Sequence, residues 1–379
     1  MLLPVEKYIQ DKLERKKSEH NFRQLTNTTG LIDFTSNDYL GFAKSESLKA
    51  KTTARFSENS ALKNGSTGSR LLSGNSSFAE ELEQEIAAFH GADSALLFNS
   101  GFDANYGLFS TLPYKGDTVL YDEAVHASIH DGMRNNKAHC VSFLHNDVAD
   151  LEAKLQQATG IKYVVVESLY SMNGDFSPLV EVAALCEKYK AALVVDEAHT
   201  LGIFGATGSG RVCELGLEKK CFARVMTYGK AAGAAGASII GSISLKDFLI
   251  NYCRPFIFST AMLPYQLVAI ANAYQQMPLA NNERQKLEWI IQKFSHEMNA
   301  AGFAVTSAPN SPIQIISLSG NEKVVATANY LQKNGFDVRP IKHPTVPKGN
   351  ERLRICLHSY NSEQEVVALA QLIHKHLHA

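Results

Sequence analysis

The segment Ala192-Leu193-Val194-Val195-Asp196-Glu197-Ala198-His199 decides the predicted fold. Its first half is apolar on both faces, as in a central parallel strand that helices cover on both sides. Tyr163–Val166 is also apolar on both faces. It is one of five other short β-branched or apolar runs that are each followed by a polar break and a helical stretch: Ala95–Phe98, Thr118–Tyr121, Cys140–Leu144, Tyr163–Val166 and Arg224–Thr227. This alternation predicts an α/β protein with a mostly parallel, doubly wound sheet.

Length and composition agree with an ordinary globular protein. The 379 residues suggest two or three domains, at roughly 150 residues per domain. Hydrophobic residues make up 45% and charged residues 20%, which argues against disorder, and the net charge of −1 gives no general reason to bind nucleic acid or an anionic membrane. The chain has no apolar run of the roughly 20 residues that are needed to span a bilayer. Its N-terminus lacks the charged segment followed by an apolar segment that is typical of a signal peptide. Six scattered cysteines indicate reduced core residues, and hence a cytoplasmic enzyme without disulfides.

Changes of pattern along the chain predict three segments. Residues 1–45 form an N-terminal helix (5–24) and arm, 46–270 a large domain, and 271–379 a smaller α+β domain. The last segment begins with a long helix over Asn281–Ala301, in which Trp289 and Phe294 lie at helical spacing and are predicted to pack in the core. Its predicted strands and closing helix are Ile313–Ser317, Phe336–Pro340, Arg352–Leu357 and 362–377.

The residues that follow each strand predict the functional site, because ligands of open α/β sheets bind at the carboxyl ends of the strands. Those ends carry a Ser-Gly helix start, two histidines, an acidic pair and a lysine: Ser100-Gly101, His126, Glu167, Asp196 with His199, and Thr227 with Lys230. Each feature alone is weak evidence. Five of them in this order predict a single cleft.

Lys230 and Asp196 suggest the chemistry of this cleft. A lysine at a strand end is more often simply exposed, but it can form a Schiff base with an aldehyde cofactor, and the small residues that follow Lys230 would let a flat ring approach. Asp196 has no polar partner within its strand, and a buried carboxylate needs one. That partner is either a distant Lys or Arg or a protonated pyridine nitrogen, which the carboxylate would keep charged so that the ring acts as an electron sink.

Ser100-Gly101-Phe102, His126 and His199 are also consistent with a cofactor that carries a ring and a phosphate. Ser100-Gly101-Phe102 opens a helix, whose free N–H groups favour a phosphate, although an ordinary glycine turn would look the same. His126 could stack on a cofactor ring, and His199 could bond its phenolic oxygen.

The glycine-rich segment 205–211 lacks the Gly-Lys-Ser/Thr ending of a P-loop and is predicted to be a tight loop. The chain shows no clustered His/Cys spacing, so no metal site is predicted.

Taken together, these motifs resemble the α-oxoamine synthases, a branch of the fold-type I pyridoxal 5'-phosphate (PLP) enzymes, over nearly the whole chain. The motifs that carry the resemblance are Ser36-Asn37-Asp38-Tyr39-Leu40-Gly41, Gly65-Ser66-Thr67-Gly68-Ser69-Arg70-Leu71-Leu72-Ser73-Gly74, Asn99-Ser100-Gly101-Phe102, His126-Ala127-Ser128, Glu167 with Ser171-Met172-Asn173-Gly174-Asp175, Asp196-Glu197-Ala198-His199, Thr227-Tyr228-Gly229-Lys230, Phe258-Ser259-Thr260 and Pro344-Thr345-Val346-Pro347.

The resemblance implies a role for each matching residue. Lys230 would carry PLP as a covalent internal aldimine and move protons at the substrate α-carbon. Asp196 would hold the pyridine nitrogen, His126 would stack on the ring, and His199 and Ser171 would position the ring oxygen. Other positions would complete the site: Ser100, Gly101, Phe102 and Thr227 at the phosphate, Glu167 at the cofactor, Thr260 from a second subunit, Asn37 and Arg354 at the amino-acid carboxylate, and Arg23 and Thr345 on the substrate side.

The resemblance also implies a reaction and a homodimer with shared active sites. The branch member that the motifs match best condenses L-alanine with pimeloyl-CoA, or a pimeloyl carrier protein, and releases CO2 and CoA in biotin synthesis. Two sister activities stay open: glycine with acetyl-CoA and serine with a long acyl-CoA. A more distant alternative is a lyase of the same fold or a non-catalytic binding protein, against which the intact set Lys230, Asp196 and His126 argues.

Overall fold

A computed structural model describes residues 3–19, 21–303 and 305–378, and a seven-stranded sheet organises most of the chain. The strands of the described residues are β1 (Ile32–Asp33), β2 (Ser94–Phe98), β3 (Thr118–Asp122), β4 (His139–Phe143), β5 (Lys162–Glu167), β6 (Ala192–Asp196), β7 (Cys221–Thr227), β8 (Ala237–Gly241), β9 (Ile313–Ser317), β10 (Phe336–Asp337), β11 (Arg339–Ile341) and β12 (Arg352–Cys356). The large sheet has the order β2-β8-β7-β6-β5-β3-β4.

The direction of the strands brings the predicted site residues to one edge. Strands β7, β6, β5, β3 and β4 are parallel, and β8 runs antiparallel to both β7 and β2. Strand β2 therefore points the same way as β7, and the carboxyl ends of β2, β3, β5, β6 and β7 all lie at one edge. This confirms the α/β class and the mostly parallel, doubly wound sheet.

Helices cover both faces of this sheet. The described α-helices are α1 (Pro4–Ser18), α2 (Glu46–Glu58), α3 (Ser77–Phe89), α4 (Gly101–Thr111), α5 (Ala127–Met133), α6 (Val148–Gln157), α7 (Leu179–Tyr189), α8 (Arg211–Glu214), α9 (Ile243–Tyr252), α10 (Arg254–Phe258), α11 (Pro264–Gln276), α12 (Asn281–Ala300), α13 (Asn321–Lys333) and α14 (Glu363–His378). One core cluster joins the sheet to α4, α5 and α9, and another joins it to α6 and α7. Val194 and Val195, neighbours on β6, belong to these two different clusters, which explains why that strand is apolar throughout.

The C-terminal part forms a smaller layer. Strands β11, β12 and β9 make a three-stranded antiparallel sheet against which α13 and α14 pack. The arm is tied to this part, since β1 pairs in parallel with β10 and Phe34 N–H donates to the Asp337 carbonyl at 3.1 Å. The boundaries proposed above, at 45 and 270, stay a prediction.

The structure corrects several sequence-based expectations. The first helix ends at Ser18 rather than residue 24, and the predicted strand Phe336–Pro340 is divided into β10 and β11. Strand β8 is absent from the predicted strands, because its apolar residues directly follow the small residues after Lys230. Trp289 is 46% exposed, so its predicted core position is wrong, whereas Phe294 on the same helix is buried. Of the six free cysteines, Cys140, Cys213 and Cys221 are only partly buried.

Neither a membrane-spanning helix nor a cluster of potential metal ligands occurs among the residues that the structure describes. None of their helices combines the length and the apolar character needed to cross a membrane. Within the same residues, no group of three or more His, Cys, Asp or Glu side chains is arranged to hold a metal ion.

Candidate active site

A cavity of about 380 Å³ opens at the carboxyl edge of the large sheet. It is lined by residues from the ends of β2, β3, β5, β6 and β7 and by the arm. Ten of the predicted site residues line it: Asn37, Ser100, Gly101, Phe102, His126, Glu167, Asp196, His199, Thr227 and Lys230. The strand ends therefore bring together residues that are far apart in the chain.

Asp196 forms the floor of this cavity. Its Oδ2 accepts a hydrogen bond from Asn105 Nδ2 at 2.8 Å, and its Oδ1 accepts one from the Ala198 backbone N–H at 2.9 Å. Only 5% of the residue is exposed. The carboxylate thus has two neutral donors and no cation bonded to it within the described chain, which is the arrangement expected of a carboxylate that receives a cationic ligand group.

Glu167 lies beside Asp196, because the two residues are in register on β5 and β6. Burial raises the pKa of Glu167 to about 8, and the nearby charge of Asp196 adds to the shift. Glu167 Oε1 is buried without a hydrogen-bond partner in the described residues. At neutral pH the Glu167 side chain is therefore mostly a neutral acid, and it lies next to the Asp196 carboxyl group.

Lys230 lies in the turn between β7 and β8. Hydrogen bonds close this turn, from Gly233 N–H to the Lys230 carbonyl at 2.8 Å and from Ala234 N–H to the Tyr228 carbonyl at 2.9 Å. Gly233 has φ of +62°, and a Cβ there would meet Ala43 N at 2.4 Å, so the turn packs closely on the arm. Burial lowers the pKa of Lys230 to about 8, a shift that the charges of Asp196 and Glu167 limit.

His126 stands at the start of α5, above the floor of the cavity. Its Nδ1 accepts a hydrogen bond from the Ser128 backbone N–H at 3.2 Å and lies 2.8 Å from Ser128 Oγ. Burial lowers the pKa of His126. The imidazole is consequently neutral near pH 7, with its ring held by the first turn of the helix.

His199 begins a chain of contacts that leads to the arm and to β12. His199 Nδ1 lies 2.7 Å from the Tyr39 hydroxyl, which donates to Asn37 Oδ1 at 3.1 Å. Arg354 Nη2 donates to the same Asn37 oxygen at 2.9 Å. Burial lowers the pKa of His199 well below its ordinary value, and the charges of Lys230 and Arg354 act in the same direction.

The start of α4 forms the other end of the cavity. Ser100 caps this 11-residue helix by accepting from Asp103 N–H at 3.0 Å. Gly101 lies so close to Thr227 that a Cβ would meet Thr227 Cγ2 at 2.5 Å. Thr227 Oγ1 is buried and has no hydrogen-bond partner among the residues described. An unpartnered hydroxyl on a residue that packs against a helix N-terminus makes a suitable cradle for a phosphate.

Five predicted residues do not line the cavity. Arg354 bonds Asn37, which lines the cavity, but does not line it itself. Its Nε donates to the Ser171 carbonyl at 2.7 Å, so Ser171 contacts the arginine and not the cavity. Thr260 is exposed and lines a separate cavity, and its carbonyl accepts from Asn99 Nδ2 at 2.8 Å. Arg23 on the arm and Thr345 in a turn are both exposed.

Sequence reasoning missed three residues that contact this site. Asn105 and Ser128 are buried between Asp196 and His126, and Tyr39 is buried between His199 and Asn37. Asn105 interrupts the apolar face of α4, and a lone polar residue on a buried helix face is a signal that could have been used. Tyr39 and Ser128 belong to motifs that carry the resemblance, but neither residue was assigned a role in the site.

The residues present fit PLP. Asp196 offers a buried carboxylate to the pyridine nitrogen, Lys230 offers an amine of lowered pKa to the aldehyde, and the α4 N-terminus with Thr227 offers donors to the phosphate. The unpartnered atoms Thr227 Oγ1 and Glu167 Oε1 are those that a polar ligand in the cavity would satisfy.

Comparisons with known proteins agree with this site. Residues 29–373 match the family model "Aminotransferase class I and II". The chain is 39% identical to the 8-amino-7-oxononanoate synthase of Emericella nidulans over 96% of this chain and 94% of the relative. The crystal structure of 8-amino-7-oxononanoate synthase from Francisella tularensis superposes with a TM-score of 0.80 at 28% identity, covering 92% of this chain and 98% of that one. A serine palmitoyltransferase from S. paucimobilis with a bound PLP–myriocin aldimine gives a TM-score of 0.89 at 26% identity, covering 99% and 98%.

The class of protein is therefore a PLP-dependent transferase of fold type I. The chain belongs to the aminotransferase class I and II family. Within that family its curated relatives named 8-amino-7-oxononanoate synthase include those of Emericella nidulans and Marinobacter nauticus, the latter 36% identical over 91% of this chain and 87% of the relative.

Proposed function

We propose that this chain condenses L-alanine with pimeloyl-CoA, or with a pimeloyl carrier protein, to give 8-amino-7-oxononanoate, CO2 and CoA in biotin synthesis. The observation that carries the proposal is the meeting of Lys230, Asp196 and His126 in one cavity of a chain whose relatives bear that name. A cytoplasmic location stays a prediction.

PLP is the proposed cofactor, attached to Lys230 through a covalent Schiff base. When bound, it supplies an electron sink for a carbanion at the amino-acid α-carbon. Asp196 holds the ring nitrogen, His126 packs on the ring, and Ser100, Gly101, Phe102 and Thr227 hold the phosphate. His199 and Glu167 are assigned to the ring oxygen and its surroundings. Ser171, which the resemblance also assigns there, lies outside the cavity, so a direct bond from Ser171 to the ring oxygen would need a local rearrangement.

Lys230 is also proposed to move the proton at the substrate α-carbon. A general base works best when its pKa lies near the working pH. Burial lowers the pKa of Lys230 to about 8, so a sizeable fraction of the amine is neutral at physiological pH and can accept a proton. An exposed lysine, with a pKa of about 10.4, would be almost wholly charged.

Asn37 and Arg354 are proposed to bind the alanine carboxylate. Asn37 Oδ1 accepts from Arg354 Nη2, Tyr39 Oη and, at 3.7 Å, Cys356 Sγ. Because that oxygen is fully used, the Asn37 amide N–H groups are turned away from these partners and are available to a carboxylate. Arg354 adds a positive charge and planar donors of matching geometry.

A homodimer with shared active sites is proposed as well. Thr260, which the resemblance assigns to the neighbouring subunit's cofactor, is exposed and lies outside the cavity of its own chain. Large apolar side chains near it are also exposed, including Phe258 at 69%, Leu72 at 83% and Phe102 at 48%. A second copy would cover such a surface. Sedimentation velocity of the purified protein tests this.

A sister activity is the second candidate, favoured by the likeness to serine palmitoyltransferase. The test is CoA release by the PLP-loaded protein, with alanine, glycine and serine each crossed with pimeloyl-, acetyl- and palmitoyl-CoA. Release confined to alanine with pimeloyl-CoA supports the proposal. Release with serine and palmitoyl-CoA, or with glycine and acetyl-CoA, would transfer the chain to a sister activity.

The acyl-binding residues and the catalytic lysine need separate tests. Arg23 is proposed to meet the distal carboxylate of the pimeloyl group and Thr345 to border the substrate, so Arg23→Ala should raise KM for pimeloyl-CoA and leave KM for alanine unchanged. Lys230→Ala should release no CoA with any substrate pair. Product formation by that variant would end the proposed role of Lys230.

A further inference from the structure

A continuous chain of hydrogen bonds joins Asp196 to His126 along the wall of the cavity. Asn105 Nδ2 donates to Asp196 Oδ2 at 2.8 Å and to Ser128 Oγ at 3.1 Å. Ser128 Oγ in turn lies 2.8 Å from His126 Nδ1. Asn105 is 2% exposed and Ser128 is fully buried although both line the cavity, so these bonds lie in a region of low effective dielectric, where hydrogen bonds are strong.

The direction of each proton in this chain follows from the chemistry of its ends. An ionised carboxylate only accepts, so the Asn105 amide must turn its NH2 group toward Asp196. The same NH2 group reaches Ser128 Oγ, whose own proton is then free to point at His126 Nδ1. The Ser128 backbone N–H also points at this nitrogen, from 3.2 Å. Two donors converge on Nδ1, which must carry the lone pair, and the ring proton is on Nε2.

We propose that Asn105 and Ser128 are positioning residues that hold Asp196 and His126 as one unit and fix His126 as the neutral Nε2–H tautomer. The proposal rests on the proposed cofactor site, since Asp196 and His126 are the groups assigned to the nitrogen and the face of the PLP ring. Neither Asn105 nor Ser128 touches the reacting atoms; both act through the residues that do.

The packing of α4 against α5 makes this unit rigid. Asn105 lies on α4, whose first residue forms the proposed phosphate cradle, and Ser128 lies in the first turn of α5. The two helices approach so closely at Gly132 that a Cβ there would meet the Tyr106 carbonyl oxygen at 3.0 Å. The proposed phosphate cradle, the donor to Asp196 and the residue that caps α5 thus all belong to one helix pair, which would hold the groups proposed for the phosphate, the nitrogen and the face of the ring in fixed relative positions.

The fixed tautomer has a chemical purpose. A protonated His126 would place a second cation beside Asp196, where it would compete with the ring nitrogen for the carboxylate. A proton on Nδ1 would face the two Ser128 donors, so the chain makes that form unfavourable. His126 is left as an uncharged ring with its Nε2–H directed away from Ser128.

The first test reads the tautomer without cofactor, so it is independent of the proposed reaction. The protein is labelled with 15N-histidine, cofactor is removed, and the His126 signals are assigned by comparison with His126→Gln at pH 7. We expect a pyridine-like Nδ1 and a pyrrole-like Nε2 in the natural protein. In Ser128→Ala and in Asn105→Leu we expect a mixture of tautomers. A pyrrole-like Nδ1 in the natural protein would overturn the proposal, as would unchanged signals in both variants.

The second test uses the PLP-loaded enzyme and compares the same variants with Ser110→Ala. Ser110 is a matched control, because it lies on α4 and its hydroxyl donates to the Gly107 carbonyl of the same helix and to no other group among the described residues. We expect Ser128→Ala and Asn105→Leu to lower kcat about tenfold, the low end of effects seen for outer-shell partners, with KM for alanine changed less than about threefold. Ser110→Ala should match the natural enzyme.

Ser128→Ala is less disruptive to folding than Asn105→Leu, so it still tests the proposal if Asn105→Leu does not fold. Asn105→Leu leaves Ser128 and Asp196 short of a donor, whereas Ser128→Ala removes one oxygen and keeps the backbone N–H on His126. Equal kcat for Ser128→Ala and the natural enzyme would contradict the positioning role. If no substrate pair gives CoA release in any protein, the proposed function fails, and the tautomer measurement still decides this inference.

Discussion

The Tyr39 hydroxyl lies between two parts of the site, 2.7 Å from His199 Nδ1 and 3.1 Å from Asn37 Oδ1. Asn37 Oδ1 also receives Arg354 Nη2, so this oxygen can only accept. The single proton of Tyr39 therefore goes to Asn37, and His199 donates its Nδ1 proton to Tyr39. His199 consequently presents its Nε2 lone pair on the other side of the ring, and the proposed carboxylate site is linked to it through one phenol.

Removing this phenol should weaken both ends of the link. Tyr39→Phe deletes the donor to Asn37 and the acceptor for His199, at about 1 kcal/mol for each hydrogen bond, so kcat/KM for alanine should fall by about 5- to 30-fold. Steady-state CoA release measures it. The KM for pimeloyl-CoA serves as the internal control and should stay within about twofold. An unchanged kcat/KM for alanine would contradict the link.

Arg354→Lys should impair alanine binding although it keeps the positive charge. Arg354 donates to Asn37 from Nη2 and to the Ser171 carbonyl from Nε, and a lysine cannot make both bonds in one plane. A lost charge-assisted hydrogen bond amounts to about 2 kcal/mol, so KM for alanine should rise about 30-fold. Initial rates against alanine concentration test this, and an equal rise in KM for pimeloyl-CoA would point to general misfolding instead.

Cofactor attachment should speed up as the pH passes through about 8. Schiff-base formation needs a neutral amine, and burial lowers the pKa of Lys230 to about 8. Below this pH the amine is charged and unreactive; above it the amine is neutral, so the rate should rise and then level off before pH 9.5. Stopped-flow absorbance after mixing PLP with cofactor-free protein measures the rate of cofactor attachment at each pH. A rate that still climbs steeply at pH 10 would mean an ordinary lysine.

Gly101→Ala should weaken PLP binding through the phosphate cradle. The added Cβ would meet Thr227 Cγ2 at 2.5 Å, so either Thr227 or the start of α4 must shift. We expect the Kd for PLP to rise about tenfold or more, equivalent to at least about 1.4 kcal/mol. Gly65→Ala is the matched control, because a Cβ at Gly65 meets nothing within 4 Å. Equal affinities for the two variants would argue against the cradle. Fluorescence titration of cofactor-free protein gives both constants.

His145 should stabilise the folded chain in a pH-dependent way. Its Nδ1 lies 2.8 Å from Asp122 Oδ1 and its Nε2 lies 2.9 Å from Asp175 Oδ2. Burial acts to lower the pKa of His145, but the hydrogen bonds to the two aspartates outweigh it and raise the pKa to about 10. Because the folded pKa exceeds the unfolded value of about 6.5, the stabilisation is complete below pH 6.5 and disappears as the pH rises through 10.

The substitution His145→Gln isolates this contribution. At pH 6.5 the variant should be less stable than the natural protein by about 2 kcal/mol, because it loses a charged partner of two carboxylates. At pH 10 the two proteins should be nearly equal. Urea denaturation at pH 6.5, 8 and 10 provides the comparison. A difference in unfolding free energy that does not change with pH would show that the charge of His145 is not the cause.

Much of the fold could be read from local patterns. Strand β9 has the predicted bounds, Ile313–Ser317, and helix α12 ends one residue before the predicted Ala301, because apolar periodicity there ends at clear polar or proline boundaries. Strand β8 could not be found this way. Its register against β2 and β7 comes from tertiary pairing, and a short run after Gly and Ala carries little periodicity.

The candidate site likewise combines residues that the sequence predicts with contacts that only the tertiary structure shows. The sequence alone determined which chemistry stands at the strand ends, since Asp196, His126 and Lys230 follow directly from where apolar runs stop. Only the tertiary structure decided that Arg354 bonds Asn37, 317 positions away, and that Asn105 joins Asp196 to His126. The physical reason is that a strand end is fixed by its own neighbours in the chain. A hydrogen bond between buried groups depends instead on how distant helices and strands pack.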